Sequence, residues 1–286
     1  LDYARYALDG ESFSDRMEIL RLDNCIRSRL SLPPRQDNMQ QPYAMERGRE
    51  HDLVLQYEFE SSCEVPVRLG IERPELYRIQ LNGKAVPAAQ KTTATDYYVD
   101  EAIRVVLLLP LKKGTNVLTL SCRFHQKMNL ENLYLLGDFD VTVAGAHASV
   151  SARRKTLYLG SLTTQGLPFY TGAVTLEMPF TLSAAGRYSV HIPHLAATIV
   201  HVAVDGAEKG SIYLAPHRLQ LGALEAGTHT LTLTVIGNRF NGFGTLHNAH
   251  SNYVWFGPDS YRTTGDNWSD SYLLKDFGIR SEERRV

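Results

Sequence analysis

Cysteine is scarce in this chain. Its 286 residues hold three, Cys25, Cys63 and Cys122, with no Cys-x-x-Cys pair. An odd, sparse count argues against a disulfide framework and against a thiolate zinc site. An excess of charge is lacking too. The net charge is −1 and the pI about 6.9, which argues against nucleic acid or an anionic membrane surface as partner, since either favours a basic patch. No apolar run approaches the ~20 residues that a membrane-spanning helix needs; the longest runs Val105-Val106-Leu107-Leu108-Leu109-Pro110-Leu111. No Gly-x-Ser-x-Gly marks a serine nucleophile. The opening Leu1-Asp2-Tyr3-Ala4-Arg5-Tyr6 lacks an initiator Met and a signal peptide, so it reads as a piece of a longer polypeptide and leaves the compartment unreadable.

What is present reads as β structure. Hydrophobic residues make up 43% of the chain, enough for cores in about two domains. Residues 1–42 differ from the rest. Ile19, Leu22, Ile26 and Leu30 recur at helical spacing after Ser14, a plausible N-cap, and Pro33-Pro34 ends the pattern. The expectation is a connecting helix packed on a neighbouring domain, followed by a loop over 36–42. From residue 52 the period becomes two. Leu53, Leu55, Tyr57 and Phe59 alternate with polar positions, as do Val65, Val67, Leu69 and Ile71, and Leu118, Leu120, Cys122 and Phe124. Cys122 thereby reads as a small buried hydrophobe.

A second block repeats the first. Ile79-Gln80-Leu81-Asn82-Gly83 and a later strand after Gly114 correspond to Val202-Ala203-Val204-Asp205-Gly206 and a later strand after Gly227. Asn-Gly and Asp-Gly accept the positive φ of type I′ hairpin turns. The expected organisation is therefore all-β: an N-terminal helical segment over 1–42, a first β-sandwich over 43–150 and a second over 151–286, both jelly rolls. The boundary should fall within about 144–166, where the alternation fades.

Val202-Ala203-Val204-Asp205-Gly206, Gly210-Ser211-Ile212-Tyr213-Leu214-Ala215-Pro216-His217-Arg218-Leu219 and the Gly227 turn resemble the galactose-binding-like, sugar-binding jelly roll of family 2 glycoside hydrolases. His229 stands where that pattern usually has Asn. The segments Gly70–Glu75, Asp96–Asp100 and Asn129–Phe139 are similar to a diverged copy, of the kind found in the non-catalytic regions of bacterial family 2-like and rhamnosidase-like glycosidases. The resemblance implies carbohydrate and a parent catalytic domain as partners, and it marks Tyr213 and His217 as candidate sugar contacts. The catalytic carboxylates of that family lie in a (β/α)8 barrel. No alternating strand–helix series occurs here, so no catalytic residue is carried over.

Other candidates come from residue chemistry. Glu72, Glu75, Asp96, Asp100, Glu131, Asp138 and Asp140 supply carboxylates, but none stands out as an acid–nucleophile pair. Asp96, Asp100 and Glu101 offer hard oxygen ligands for a structural Ca²⁺. His191, His194, His247 and His250 lack the helical spacing and neighbouring acids of a metal site. The segment 238–268 is richest in sugar-binding chemistry, with Arg239, Asn241, His247, Trp255 and Trp268. Trp255, in an apolar run, is expected to anchor the loop, and Trp268, among turn-forming residues, to be exposed. Three roles stay open: accessory region of a multidomain glycoside hydrolase, autonomous carbohydrate-binding module, or structural and adhesive domain.

Overall fold

The alternation becomes strands wherever one face can be covered. The computed structural model describes residues 1–35, 46–87, 96–250, 257–261 and 263–280, which include no helix long and apolar enough to cross a membrane. The loop expected over 36–42 and Trp255 lie outside the described residues. The chain forms two compact units. The first holds Leu1–Arg153 and His247–Ser271, the second Arg154–Leu246 and Tyr272–Val286.

In the first unit, helix α1 (Ile19–Arg29) accompanies strands β1 (Tyr3–Leu8), β2 (Met17–Glu18), β3 (His51–Ser61), β4 (Val67–Glu72), β5 (Arg78–Leu81) and β6 (Lys84–Ala85). They are followed by β7 (Tyr97–Tyr98), β8 (Asp100–Leu107), β9 (Gly114–Phe124), β10 (Tyr134–Gly137), β11 (Phe139–Ala144) and β12 (His147–Ala152). One sheet runs β11-β12-β3-β9-β5-β6, with β1 and β2 joined to it, and the other runs β10-β4-β8-β7. Pairing is antiparallel except where β12 meets β3. Leu53, Leu55, Tyr57 and Phe59 from the first sheet and Val67, Leu69, Ile71 and Val106 from the second enter one buried core, which makes this unit a sandwich. Cys122 is buried in it, and desolvation pushes its thiol up to about 12.

The N-terminal segment belongs to this core and is not a separate connector. β1 pairs with β3 in the register Arg5↔Gln56 through Leu8↔Leu53. Ile19, Leu22 and Ile26 of α1 are fully buried, so the helical stripe finds its apolar partner within the unit. The cap is Glu18 rather than Ser14. Its carboxylate accepts from the N–H groups of Leu20 and Arg21, both at 3.0 Å, while the Ser14 hydroxyl accepts from Tyr6 N–H at 3.1 Å. His247, which is buried, and Trp268 also belong to this unit.

The second unit contains β13 (Gly160–Ser161), β14 (Ala173–Leu182), β15 (Gly186–His191), β16 (His194–Ala196), β17 (Ile199–Val204) and β18 (Ala207–Ile212). β19 (Arg218–Leu224), β20 (Gly227–Ile236), the single helical turn α2 (Phe240–Phe243) and β21 (Gly278–Arg280) complete it. Its main sheet runs β14-β20-β17-β18, faced by the pair β15-β19, with β13-β21-β16 beside them. Val200, Val202, Val204, Leu221, Leu233 and Val235 form its core.

The repeat read in the sequence is a repeat of topology. β3-β9-β5-β6 in the first unit and β14-β20-β17-β18 in the second follow the same order, and β4-β8 matches β15-β19. The turns agree atom for atom. Asn82 and Gly83 have φ of 52° and 76°, Asp205 and Gly206 of 52° and 78°, the two positive values a type I′ turn requires. Asn82 N–H donates to Val117 O at 2.8 Å and Asn82 Oδ1 accepts from Val117 N–H at 2.9 Å. Asp205 makes the same two bonds with Thr230, at 2.9 and 2.8 Å. A third copy, unseen in the sequence, is Asp9-Gly10, with φ of 50° and 82° and the corresponding bonds to Asp52 at 2.8 and 2.9 Å.

Candidate functional site

The sugar contacts expected from the sequence fall into separate groups. Tyr213 is exposed and His217 half-buried on the connection from β18 to β19. His217 has a φ of 50°, and its carbonyl accepts from Ile192 N–H at 3.0 Å. Arg239 is exposed just before α2. Asn241 is buried, with both amide atoms bonded to the Lys275 backbone at 2.8 and 2.9 Å. Asn241 therefore braces two segments of the second unit, and its amide is not open to a ligand.

The structure does bring His247 and Trp268 together, in the first unit. Their rings stack at 5.0 Å, and the Tyr3 ring meets His247 edge-on at 5.5 Å. His247 is 8% exposed. Nδ1 lies 2.8 Å from Ser269 O and Nε2 3.1 Å from the Asp2 carboxylate. Burial favours its neutral form, but Asp2, Ser269 and Glu18 outweigh that and leave its pKa raised. Trp268 is half-buried. Its indole N–H donates to Asp270 at 2.8 Å and the Arg21 guanidinium lies over its ring at 4.6 Å. The expectation of a bare indole platform is thus corrected: charge–ring and stacking contacts already engage the ring. Burial lifts the nearby Glu18 carboxyl to about 7, against the pull of its two backbone donors.

The three carboxylates considered for Ca²⁺ have separate surroundings. Asp96 Oδ2 faces the Arg68 guanidinium at 3.4 Å, Asp100 Oδ1 accepts from Ala102 N–H at 2.8 Å within its own turn, and Glu101 is exposed. Among the described residues, no three His, Cys, Asp or Glu side chains converge for a metal.

A different site is built where the end of β4 meets the loop after β9. It is a cleft of about 460 Å3 in the first unit. Tyr77, Leu76 and Met128 give it apolar walls, Glu72, His125 and Asn129 polar positions, and Arg47, Arg73 and Lys127 positive charge. The loop is held from below. Buried Arg27 donates to Gln126 O at 3.1 Å and to Met128 O, while its Nε pairs with buried Asp23 at 3.0 Å. Burial raises Asp23 to about 6, and Arg27 and Arg35 pull the other way. Lys127 N–H donates to His125 Nδ1 at 3.2 Å, a contact that suits the neutral ring with Nδ1 as acceptor. Desolvation lowers the His125 pKa, and Arg47, Arg73 and Lys127 act in the same direction, with Glu50 opposing. Burial raises Glu72, Glu131 adds to the shift, and Arg35 opposes it.

Arg73 takes a left-handed conformation, φ 49° and ψ 55°, before the 3-10 turn Pro74–Leu76, which strains a side chain of this kind. Asn129 Oδ1 is buried with no hydrogen-bond partner among the described residues, and Asn129 also lines an adjoining cavity of about 20 Å3. Sequence reasoning missed this site, because its residues come from three distant stretches: 47, 72–77 and 125–129. A signal that could have pointed to it is the polar run His125-Gln126-Lys127 that ends the alternation of β9.

No protein-family model and no curated protein sequence matches the chain. Solved structures overlap it weakly. A rhamnosidase from Novosphingobium sp. PP1Y is 16% identical over 82% of this chain and 22% of that one, with a TM-score of 0.30. A β-D-mannosidase from Dictyoglomus thermophilum is 11% identical over 83% of this chain and 31% of that one, at 0.30. The lectin from Pleurotus ostreatus, in its complex with GalNAc, is 9% identical over 66% and 69%, at 0.24. The chain thus spans about a fifth of the rhamnosidase's length, and TM-scores of this size establish no common fold with any of the three.

Proposed function

We propose that this chain is a non-catalytic accessory region of a multidomain glycoside hydrolase, built as two jelly-roll modules, and that it contacts carbohydrate through the cleft of the first unit while supporting a catalytic domain. The observation that carries the reading is that cleft. Its volume of about 460 Å3 lies in the range of small-ligand sites, and apolar walls with a few fixed polar groups are what such a site uses to orient its ligand. The sugar-binding resemblance of the Asp205-Gly206 and Tyr213–Leu219 motifs supports the class of ligand. The shared strand order of the two units supports the tandem modules. Glu72 is the carboxylate lining the cleft among the described residues, whereas glycoside hydrolysis calls for two acting on one bond.

Calorimetric titration of the full chain with a panel of neutral and acidic oligosaccharides tests this reading. At least one is expected to bind, with affinity lost in Asn129→Ala, and aryl glycosides are expected to remain intact. Failure of every oligosaccharide to bind, or turnover abolished by a single carboxylate substitution, would contradict it.

A further inference from the structure

The charges of the cleft point to its ligand. Arg73, Lys127 and Arg47 are among the residues that line the cleft. The Arg73 side chain is 61% exposed, and its pairing with Glu75, two residues on, is long at 3.4 Å. Arg47 pairs with Glu50 at 2.5 Å, again with an exposed guanidinium. Exposed pairs of this kind contribute little and exchange readily for a better-placed anion. Lys127 pairs with no carboxylate among the described residues. The carbonyls on either side of it are held by Arg27, so its backbone is fixed. The lining also carries polar residues suited to hydroxyls, Asn129 and Glu72, both half-buried. Leu76, half-buried in the lining, supplies apolar surface on which the C–H face of a sugar ring can rest. Glu72 disfavours a doubly charged anion such as phosphate more than a single carboxylate.

We propose that this cleft binds a hexuronate unit of an acidic glycan, with Lys127 and Arg73 holding the sugar carboxylate and Asn129 and Glu72 bonded to ring hydroxyls. The proposal rests on the carbohydrate reading above and adds a charge requirement to it.

The test is a titration of the full chain with disaccharides of galacturonate, glucuronate and mannuronate, with their neutral hexose counterparts, and with inorganic phosphate. At least one uronide is expected to bind, and its neutral counterpart to bind about tenfold more weakly or worse, the loss of one charged hydrogen bond. Lys127→Met and Arg73→Asn should each weaken that uronide by about tenfold and leave neutral sugars unchanged. Asn tolerates the left-handed backbone at 73, so the second variant removes the charge without disturbing the turn. Unchanged melting temperatures would show that both variants fold.

Neutral sugars binding as tightly as uronides, with no effect of either substitution, would overturn the charge requirement and leave the carbohydrate reading intact. Phosphate binding as tightly as the uronide would show an anion site with no sugar recognition and overturn the proposal. No binding by any sugar would remove both readings.

Discussion

At the scale of single residues, the Asx-Gly turns show how one side chain sets a register. The side chain of Asp205 accepts from Thr230 N–H and, through its other oxygen, meets His229 Nδ1 at 2.6 Å. Asp9 repeats this with Asp52 and with His51 at 2.7 Å. In the Asn82 copy the residue in the histidine position is Asn116, whose Oδ1 accepts from the Asn82 amide at 2.9 Å. Each turn thus clamps two adjacent residues of the neighbouring strand, which pins register where a one-residue slip would invert the buried face. The clamp at Asp205 titrates. Asp205 raises His229 above its ordinary 6.5, and His229 holds Asp205 below its ordinary 3.8. The histidine's stabilisation is complete below its unfolded value and fades as pH rises through the folded one. The aspartate's is complete above its unfolded value and fades as pH falls through the folded one. The melting-temperature gap between wild type and His229→Gln should therefore be widest between pH 3.8 and 6.5 and close in alkaline solution. A gap equally wide on both sides would show that the ion pair is not its source.

At the scale of elements, α1 links the core to the cleft. Its apolar stripe anchors Ile19, Leu22 and Ile26, and its opposite need is met by Arg27, which is 2% exposed and bonded to Asp23 and to the carbonyls of Gln126 and Met128. Replacing Arg27 by Met leaves the buried Asp23 carboxylate with only Arg35, at 3.9 Å, as its cation and two carbonyls without their donor, and should lower stability by about 3–5 kcal/mol. The double variant Arg27→Met with Asp23→Leu should recover part of that loss by removing the poorly compensated buried charge. Denaturant unfolding checks both, and a double variant no more stable than the single one would contradict this account of the pair. The helix was legible in the sequence because its period is local. So were β3, β4, β9 and the turn at Asp205, where alternation and turn chemistry sit side by side. The cap at Glu18 was not, because Ser14 satisfies the usual cap rule and is taken by Tyr6 instead. β1 was missed since Tyr3-Ala4-Arg5-Tyr6-Ala7-Leu8 is buried at nearly every position and shows no alternation. The split of 238–268 between units was hidden as well. His247 reads as a loop residue until Asp2, 245 positions earlier, is placed beside it.

At the scale of the whole molecule, two units repeat one sheet order, and the extra parts of the first build the cleft. Arg47 precedes β3, Glu72 ends β4, and His125 to Asn129 follow β9. In the second unit the segment after the corresponding strand, β20, runs into α2 instead. The repeat therefore supplies the frame and the departures from it supply the candidate site, in keeping with function residing in sites placed on a common fold. The central claim is that carbohydrate is held by the first unit at this cleft. Amide hydrogen exchange of the full chain, with and without the tightest-binding oligosaccharide from the titrations, tests it most directly. Added protection is expected over residues 72–77 and 125–130. Protection confined to 213–218, or to 268 and its neighbours, with none at the cleft, would contradict it.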